Sequence, residues 1–472
     1  MSDSRIRTIL NFIILNIFRN LLGILRSKII AVFHGVSQIG LLGQFLTFNN
    51  LQSRVVTFGI TASLINSYNY AKIKNWSKDE VIAFNIFVVL AANLINTILI
   101  GVFISALTVL IYGSLEFKLF IWLGLLLNYI YSFSSVLELS VQAEQKFNLL
   151  WKARGWGILV ALITVVPLTY YFSVLGIIFN LIILYCISFL FLLTRGKLRF
   201  NIKKAKLLFK FNKDIASYVL KVAATDIVRS LFVLGSLFLV RVFILHYFDL
   251  VTSGYFQAIV SISNYSNILA EGFIVYYFPT ISSIKNNDRL RQEMAVNLEI
   301  LLYIIVPFIG LLMVFSRPVL NILFSSEFIL LQNYLEVLLS AKIFYLLYYF
   351  YSINFLARNF LKKFIILEGL RSVLLIGLVM LLSKLFAFPG AVYAVLLTDI
   401  LSVFLIFVLS HKLEYFKIAG SNLKLLVSAF ILILILFLID LPIVLEMAVL
   451  LVLFVLFFDV KKYKQVISRF VK

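Results

Sequence analysis

Asn16, Arg19, Asn20, Gly23, Arg26 and Ser27 have the types and spacing to hold an anion inside a membrane. On a 3.6-residue helix they share one stripe, and Ile, Leu and Phe cover the rest of the surface. A second stripe, Gln44, Thr47, Asn50, Arg54, Thr57 and Thr61, runs in steps of three or four through the next apolar stretch. A cation at the centre of a membrane helix costs about 2.5–3.5 kcal/mol on insertion scales. Such a stripe must therefore face water, an anion or a partner inside the protein. Arg19, Arg26, Lys28 and Arg54 have no acidic neighbour in either stretch. Their charge would draw a polyanionic headgroup such as a pyrophosphate, whose oxygens the fixed guanidinium fork grips two at a time. Arg19, Arg26, Arg54, Asn16, Asn20 and Gln44 are thus candidate substrate-binding residues. Two plainer readings stand beside this one: ion pairing of Arg19 and Arg54 with Glu138 or another buried acid, and snorkelling of Lys28 to the interface.

Later apolar stretches add polar groups at helical spacing. One carries Lys221, Thr225, Asp226, Arg229 and Arg241; the next carries Gln257, Ser261, Asn264 and Glu271. Beyond them come Lys342, Glu368 with Arg371, and Asp399. Gln257, Arg229, Arg241 and Lys342 join the substrate-binding set. Glu271 has no cation one helical turn away, which makes it the leading candidate for proton or sodium coupling, with Asp226 and Asp399 next. Asp226 can instead be neutralised by Arg229 three residues on, and Glu368 with Arg371 reads as an intrahelical pair.

Other chemistry is missing. There is no Walker A sequence, and the loops assigned to the outer face hold no paired carboxylates or His/Cys cluster. The reading is of a non-enzyme with no catalytic residue, metal or cofactor; a polymerase or ligase would need an assembled outward site. His34 and His246 fall at the outer ends of spans, and the single Cys186 permits no intrachain disulfide.

The elements that must position these residues are transmembrane helices. Of 472 residues, 62% are apolar and 13% charged, where an average soluble protein has roughly 25% charged. The fold class expected is an all-α polytopic membrane protein of about fourteen spans. They cover roughly 8–33, 39–70, 81–111, 117–143, 150–171, 173–194, 215–246, 251–282, 294–316, 331–356, 364–385, 388–411, 421–439 and 442–459. Residues 8–33 read as a retained helix, too long and polar for a cleavable signal. Lys and Arg crowd alternate loops, eight of them between Arg195 and Lys213, whereas the intervening loops hold only Lys118, Arg317 and Lys384. Both termini and the 195–213 segment are therefore expected in the cytoplasm, at a bacterial inner membrane. The net charge of +21 is read as an orientation signal facing anionic lipid, with no nucleic acid required.

The expected organisation is a six-helix lobe over 1–194, a basic linker over 195–213, a second six-helix lobe over 214–411, and an additional helix pair with a basic tail over 412–472. An internal echo supports duplication. His34 precedes Gly40-Leu-Leu-Gly-Gln44, and His246 precedes Gly254-Tyr-Phe-Gln257.

The stretches Leu25–Leu51, Gly254–Ile284 and Leu356–Gly369 resemble O-antigen and related lipid-linked oligosaccharide flippases. These belong to the multidrug/oligosaccharidyl-lipid/polysaccharide exporter superfamily. The pattern around Gln257, Ser261-Ile-Ser263 and Phe278-Pro279-Thr280 carries the resemblance most specifically. It implies two six-helix lobes in a V and ion-coupled alternating access. The implied cargo is an undecaprenyl-pyrophosphate-linked glycan, with a polysaccharide polymerase and a chain-length regulator as partners. Asn264 stands where family members often carry an acid, and fourteen spans match the peptidoglycan-precursor flippases better than the twelve common in the oligosaccharide branch. A lipid II-type flippase and a cation-coupled drug exporter of the same superfamily are the alternatives; the cationic stripes argue against the latter.

Overall fold

The computed structural model describes residues 2–57, 64, 78–195, 213–284, 286–358, 360–410, 448–449 and 451–452. No strand occurs among the described residues. The chain divides into two compact units, Met1–Gly254 and Tyr255–Lys472. The first holds α1 (Ser2–His34), α2 (Val36–Thr57), α3 (Lys78–Tyr112), α4 (Lys118–Ala143), α5 (Phe147–Arg195) and α6 (Lys213–Tyr247), and ends inside α7 (Leu250–Ser263). The second continues through α8 (Tyr265–Ser283), α9 (Asn287–Val314), the short α10 (Ser316–Leu323), α11 (Gln332–Ala357) and α12 (Leu361–Ser410). Seven helices among the described residues are long and apolar enough to cross a bilayer. The protein is a multi-pass helical membrane protein. The two spans expected at 421–439 and 442–459 lie outside the described residues, apart from four positions in the second.

Helices α5 and α12 are too long to be single spans. Forty-nine residues at 1.5 Å each would extend about 73 Å, more than twice the roughly 30 Å hydrocarbon core. Each is a hairpin that reverses at one residue of positive φ: Ser173 at φ 52° in α5 and Ala387 at φ 52° in α12. Contacts across each turn prove the reversal. In α5, Asn180 Nδ2 donates to Ala161 O at 2.8 Å and Ser188 Oγ to Ala153 O at 3.2 Å. In α12, Arg371 Nη2 meets Asp399 Oδ1 at 2.7 Å, and Lys363 Nζ reaches Leu409 O at 3.5 Å. The arms close so tightly past the turn that a Cβ on Gly176 would lie 1.9 Å from Leu168 O, and one on Gly390 2.0 Å from Leu382 O. Pro389 begins the return arm of α12, where its missing N–H breaks no helical bond. The sequence breaks at Phe172-Ser173 and between 385 and 388 are thus the two turns.

These features repeat at a constant offset of 214 residues. Helix α4 (118–143) corresponds to α11 (332–357), Ser173 to Ala387, Gly176 to Gly390, and Gly40 to Gly254. The echo read from Gly40 and Gly254 belongs to this register.

Helix α1 is held against the α5 hairpin. Leu15, Leu22 and Ile29, seven residues apart, pack on Ile158, Ala161 and Val165 of the outgoing arm and Leu184 of the return arm. Within lipid such contact is favoured by van der Waals fit rather than by exclusion of water. It fixes the rotation of α1 about its axis, and with it the direction of the polar stripe.

Candidate functional site

Arg19 follows Leu15 by four residues, and Arg26 follows Leu22 by four. A step of four turns about 40° on an α-helix, so both leave α1 beside its packed face. Their surroundings differ. Arg19 lines a cavity of about 280 Å³ with Asn49, Asn50, Ser53 and Arg54 of α2 and Tyr131 of α4. No acidic residue is among the described residues of that lining. Arg26 is engaged elsewhere: Nε and Nη2 donate to Asn180 Oδ1 at 3.0 and 2.7 Å. Asn180 in turn donates to Ala161 O at 2.8 Å and to Thr164 Oγ1 at 2.9 Å. Arg26 therefore clamps α1 to both arms of α5.

Asn16 lines a second, smaller cavity of about 170 Å³, together with Arg19, Tyr131, Ser135, Glu138 and Arg154. Glu138 accepts from Nε and Nη2 of Arg154 at 2.9 and 2.7 Å, so the acid considered as a partner for Arg19 and Arg54 is held by a different cation. Arg19, Tyr131 and Tyr185 border both cavities. The two tyrosine rings meet edge to face with centroids 5.0 Å apart.

Several candidates sit away from these cavities. Asn20 is half-buried on α1. Gln44 is fully buried, and its Nε2 donates to Arg241 O at 2.9 Å and Ser253 Oγ at 3.2 Å. Arg241 is buried on α6, and Arg229, nearer the N-terminus of the same helix, is half-buried. His34 and His246 each donate through Nε2 to a helical carbonyl, Thr169 O at 2.9 Å and Leu110 O at 2.8 Å.

In the second unit Gln257 Nε2 donates to Ser261 Oγ one turn on, at 2.8 Å. Lys342 Nζ donates to Asn264 Oδ1 at 2.8 Å and stands 4.7 Å from the Tyr345 ring centre. The Arg371 guanidinium stands 4.8 Å from the same centroid and bonds Asp399 on the opposite arm of α12. Lys342, Arg371 and Asp399 thus gather around Tyr345. Asp226 lies on α6 and Glu271 on α8, but their side chains are outside the described residues. Sequence reasoning missed Tyr131, Ser135 and Glu138 as a cavity wall. Their i, i+4, i+7 spacing on α4 was the available signal, the same one that marked α1.

A chain of helical hairpins with polar cavities inside the membrane has the architecture of a transporter. Residues 29–333 match the family described as "Polysaccharide biosynthesis protein". The chain belongs to that family. A comparison with curated proteins finds no match. Among solved structures, the chain is similar to a lipid II flippase MurJ in an inward closed conformation: 18% identity, TM-score 0.67, 96% of this chain and 99% of that one. It is also similar to an inward-facing multidrug resistance MATE family transporter of the MOP superfamily, at 15% identity and TM-score 0.70 over 86% of this chain and 94% of that one. A third match is a MOP superfamily transporter from Pyrococcus furiosus Vc1, whose description gives a binding pocket of reverse polarity. It has 13% identity and TM-score 0.59 over 87% of this chain and 95% of that one. The fold is that of transporters and flippases rather than of an enzyme.

Proposed function

We propose that the protein is a flippase for a polyprenyl-pyrophosphate-linked oligosaccharide, an O-antigen or similar surface-polysaccharide repeat unit. The observation that carries this reading is the cavity where Arg19 and Arg54 converge among amides and hydroxyls, with no acid among the described residues of its lining. An intramembrane site with two guanidiniums and no carboxylate favours a multiply charged anion and disfavours a cationic drug. The transporter then hides the charged, hydrated headgroup from hydrocarbon while the prenyl tail stays in lipid. Ion-gradient coupling through Glu271, an inner-membrane setting with cytoplasmic termini, and delivery to a polymerase with its chain-length regulator complete the proposal. The carboxylate of Asp399 is already held by Arg371, which weighs against a coupling role for it.

The test is affinity for undecaprenyl pyrophosphate against undecaprenyl monophosphate in detergent-solubilised protein. Arg19→Lys and Arg54→Lys keep the charge but lose the two-pronged grip, and each should weaken pyrophosphate binding at least ~10-fold, the equivalent of one charge-assisted hydrogen bond. Monophosphate binding should fall less. Wild-type affinity in both variants would remove the cavity as the headgroup site.

A further inference from the structure

The smaller cavity is not needed to hold a pyrophosphate, yet it adjoins the larger one. The two share Arg19, Tyr131 and Tyr185. In a polyprenyl-pyrophosphate glycan the distal phosphate is bonded directly to the anomeric carbon of the first sugar. A phosphate held at Arg19 from the larger side therefore places that sugar next door. The space, about 170 Å³, is close to the roughly 150 Å³ of a protein cavity that takes one benzene molecule, the scale of one six-membered ring and not of an oligosaccharide.

Its lining has the chemistry that reads a neutral sugar. Glu138 offers a carboxylate whose Oε2 is taken by Arg154 and whose Oε1, among the described residues, meets a Ser134 hydroxyl at 3.4 Å. Asn16, Ser135 and Tyr131 add an amide and two hydroxyls, and the Tyr131–Tyr185 pair supplies aromatic surface. The Arg154 charge is cancelled by Glu138 within the pocket wall, so among the described lining residues the remaining charge is that of Arg19, at the border shared with the larger cavity.

We propose that the Asn16, Tyr131, Ser135, Glu138 and Arg154 cavity binds the uncharged, hydroxyl-rich sugar adjacent to the pyrophosphate and so sets the protein's selectivity for that residue. This rests on the headgroup reading given above. Glu138 takes a sugar hydroxyl proton in a hydrogen bond, Arg154 keeps the carboxylate ionised and oriented, and the glycan beyond the first ring extends outside the pocket.

The experiment compares two probes, undecaprenyl pyrophosphate and the same lipid carrying a single N-acetylhexosamine, for binding to full-length protein. Glu138→Gln should weaken the sugar-bearing probe about 10-fold and leave the sugar-free probe within about twofold. Ser135→Ala, which removes a hydroxyl that lines the smaller cavity and not the larger one, covers the case where Glu138→Gln does not fold. It should weaken only the sugar-bearing probe, about three- to tenfold. Equal losses on both probes would assign Glu138 and Ser135 a structural role, and no loss on either would leave the pocket without a sugar; both overturn the inference. Arg54→Lys run alongside separates the two ideas. If it weakens both probes while Glu138→Gln and Ser135→Ala show no selectivity, only the sugar inference falls. If Arg54→Lys weakens neither, the headgroup reading falls first.

Discussion

Replacing Asn180 with Ala should destabilise the first unit although the residue lies on a return arm far in sequence from α1. The change deletes the oxygen that accepts two bonds from Arg26, at 3.0 and 2.7 Å. It also removes the amide that ties Ala161 and Thr164 to the second arm. A hydrogen bond to a charged group is worth about 1.5–3 kcal/mol, and a buried cation that loses its acceptor keeps its desolvation cost. We expect a loss of about 2–3 kcal/mol. At roughly 2–4 °C per kcal/mol for a unit of this size, Tm should fall by about 4–12 °C. Arg26→Leu should cost about 1–3 kcal/mol by leaving the Asn180 oxygen without its donor. The double variant should lose less than the two single losses together, by about 1.5–3 kcal/mol, because each removes the other's orphan. Asn180→Asp keeps the acceptor and adds a charge opposite to Arg26 but loses the amide donation to Ala161 O, so it should fall between Asn180→Ala and wild type. Thermal unfolding of purified protein in a fixed detergent–lipid mixture, followed by loss of the monodisperse species, provides the readout. Additive single losses, or an Asn180→Ala variant within about 1 °C of wild type, would refute the clamp.

Two further outcomes follow from the hairpins. Ala387 holds φ 52°, a region costly for a residue with a Cβ, so Ala387→Gly should raise unfolding stability by about 1 kcal/mol, measurable as a higher Tm. Asp399→Ala should cost about 3–5 kcal/mol by stranding the Arg371 charge, and adding Arg371→Met should recover most of that loss in the same melt. A double variant as unstable as the single one would deny the pair its place in the fold.

Much of the architecture was legible because it depends on local chemistry. Long apolar runs, the pauses at Phe172-Ser173 and before Phe388, and the matched glycines Gly40 and Gly254 all lie in short windows of sequence. The convergence of Arg19 with Arg54 was also readable, since both lie on polar stripes of adjacent helices. Partner choice was not. Arg19 and Arg26 look equivalent on α1, and only the packing of Leu15, Leu22 and Ile29 on α5 sends one to a cavity and the other to Asn180. In the same way Arg371 has Glu368 three residues away in sequence, but the turn at Ala387 brings Asp399 beside it from the opposite arm. Neither pairing can be read without the geometry of the reversal.

The central claim is that the protein moves a lipid-linked pyrophosphoryl glycan between leaflets. The most direct measurement reconstitutes it in vesicles with an undecaprenyl-pyrophosphate-linked oligosaccharide bearing a fluorescent sugar. Leaflet transfer is then read by a membrane-impermeant quencher under an imposed proton or sodium gradient. We expect gradient-dependent transfer by wild type and at least ~10-fold slower transfer by Arg54→Ala, the loss of about 1.4 kcal/mol or more of headgroup stabilisation. Transfer of the lipid-linked glycan at the protein-free rate, alongside gradient-driven export of a cationic dye by the same vesicles, would contradict the account.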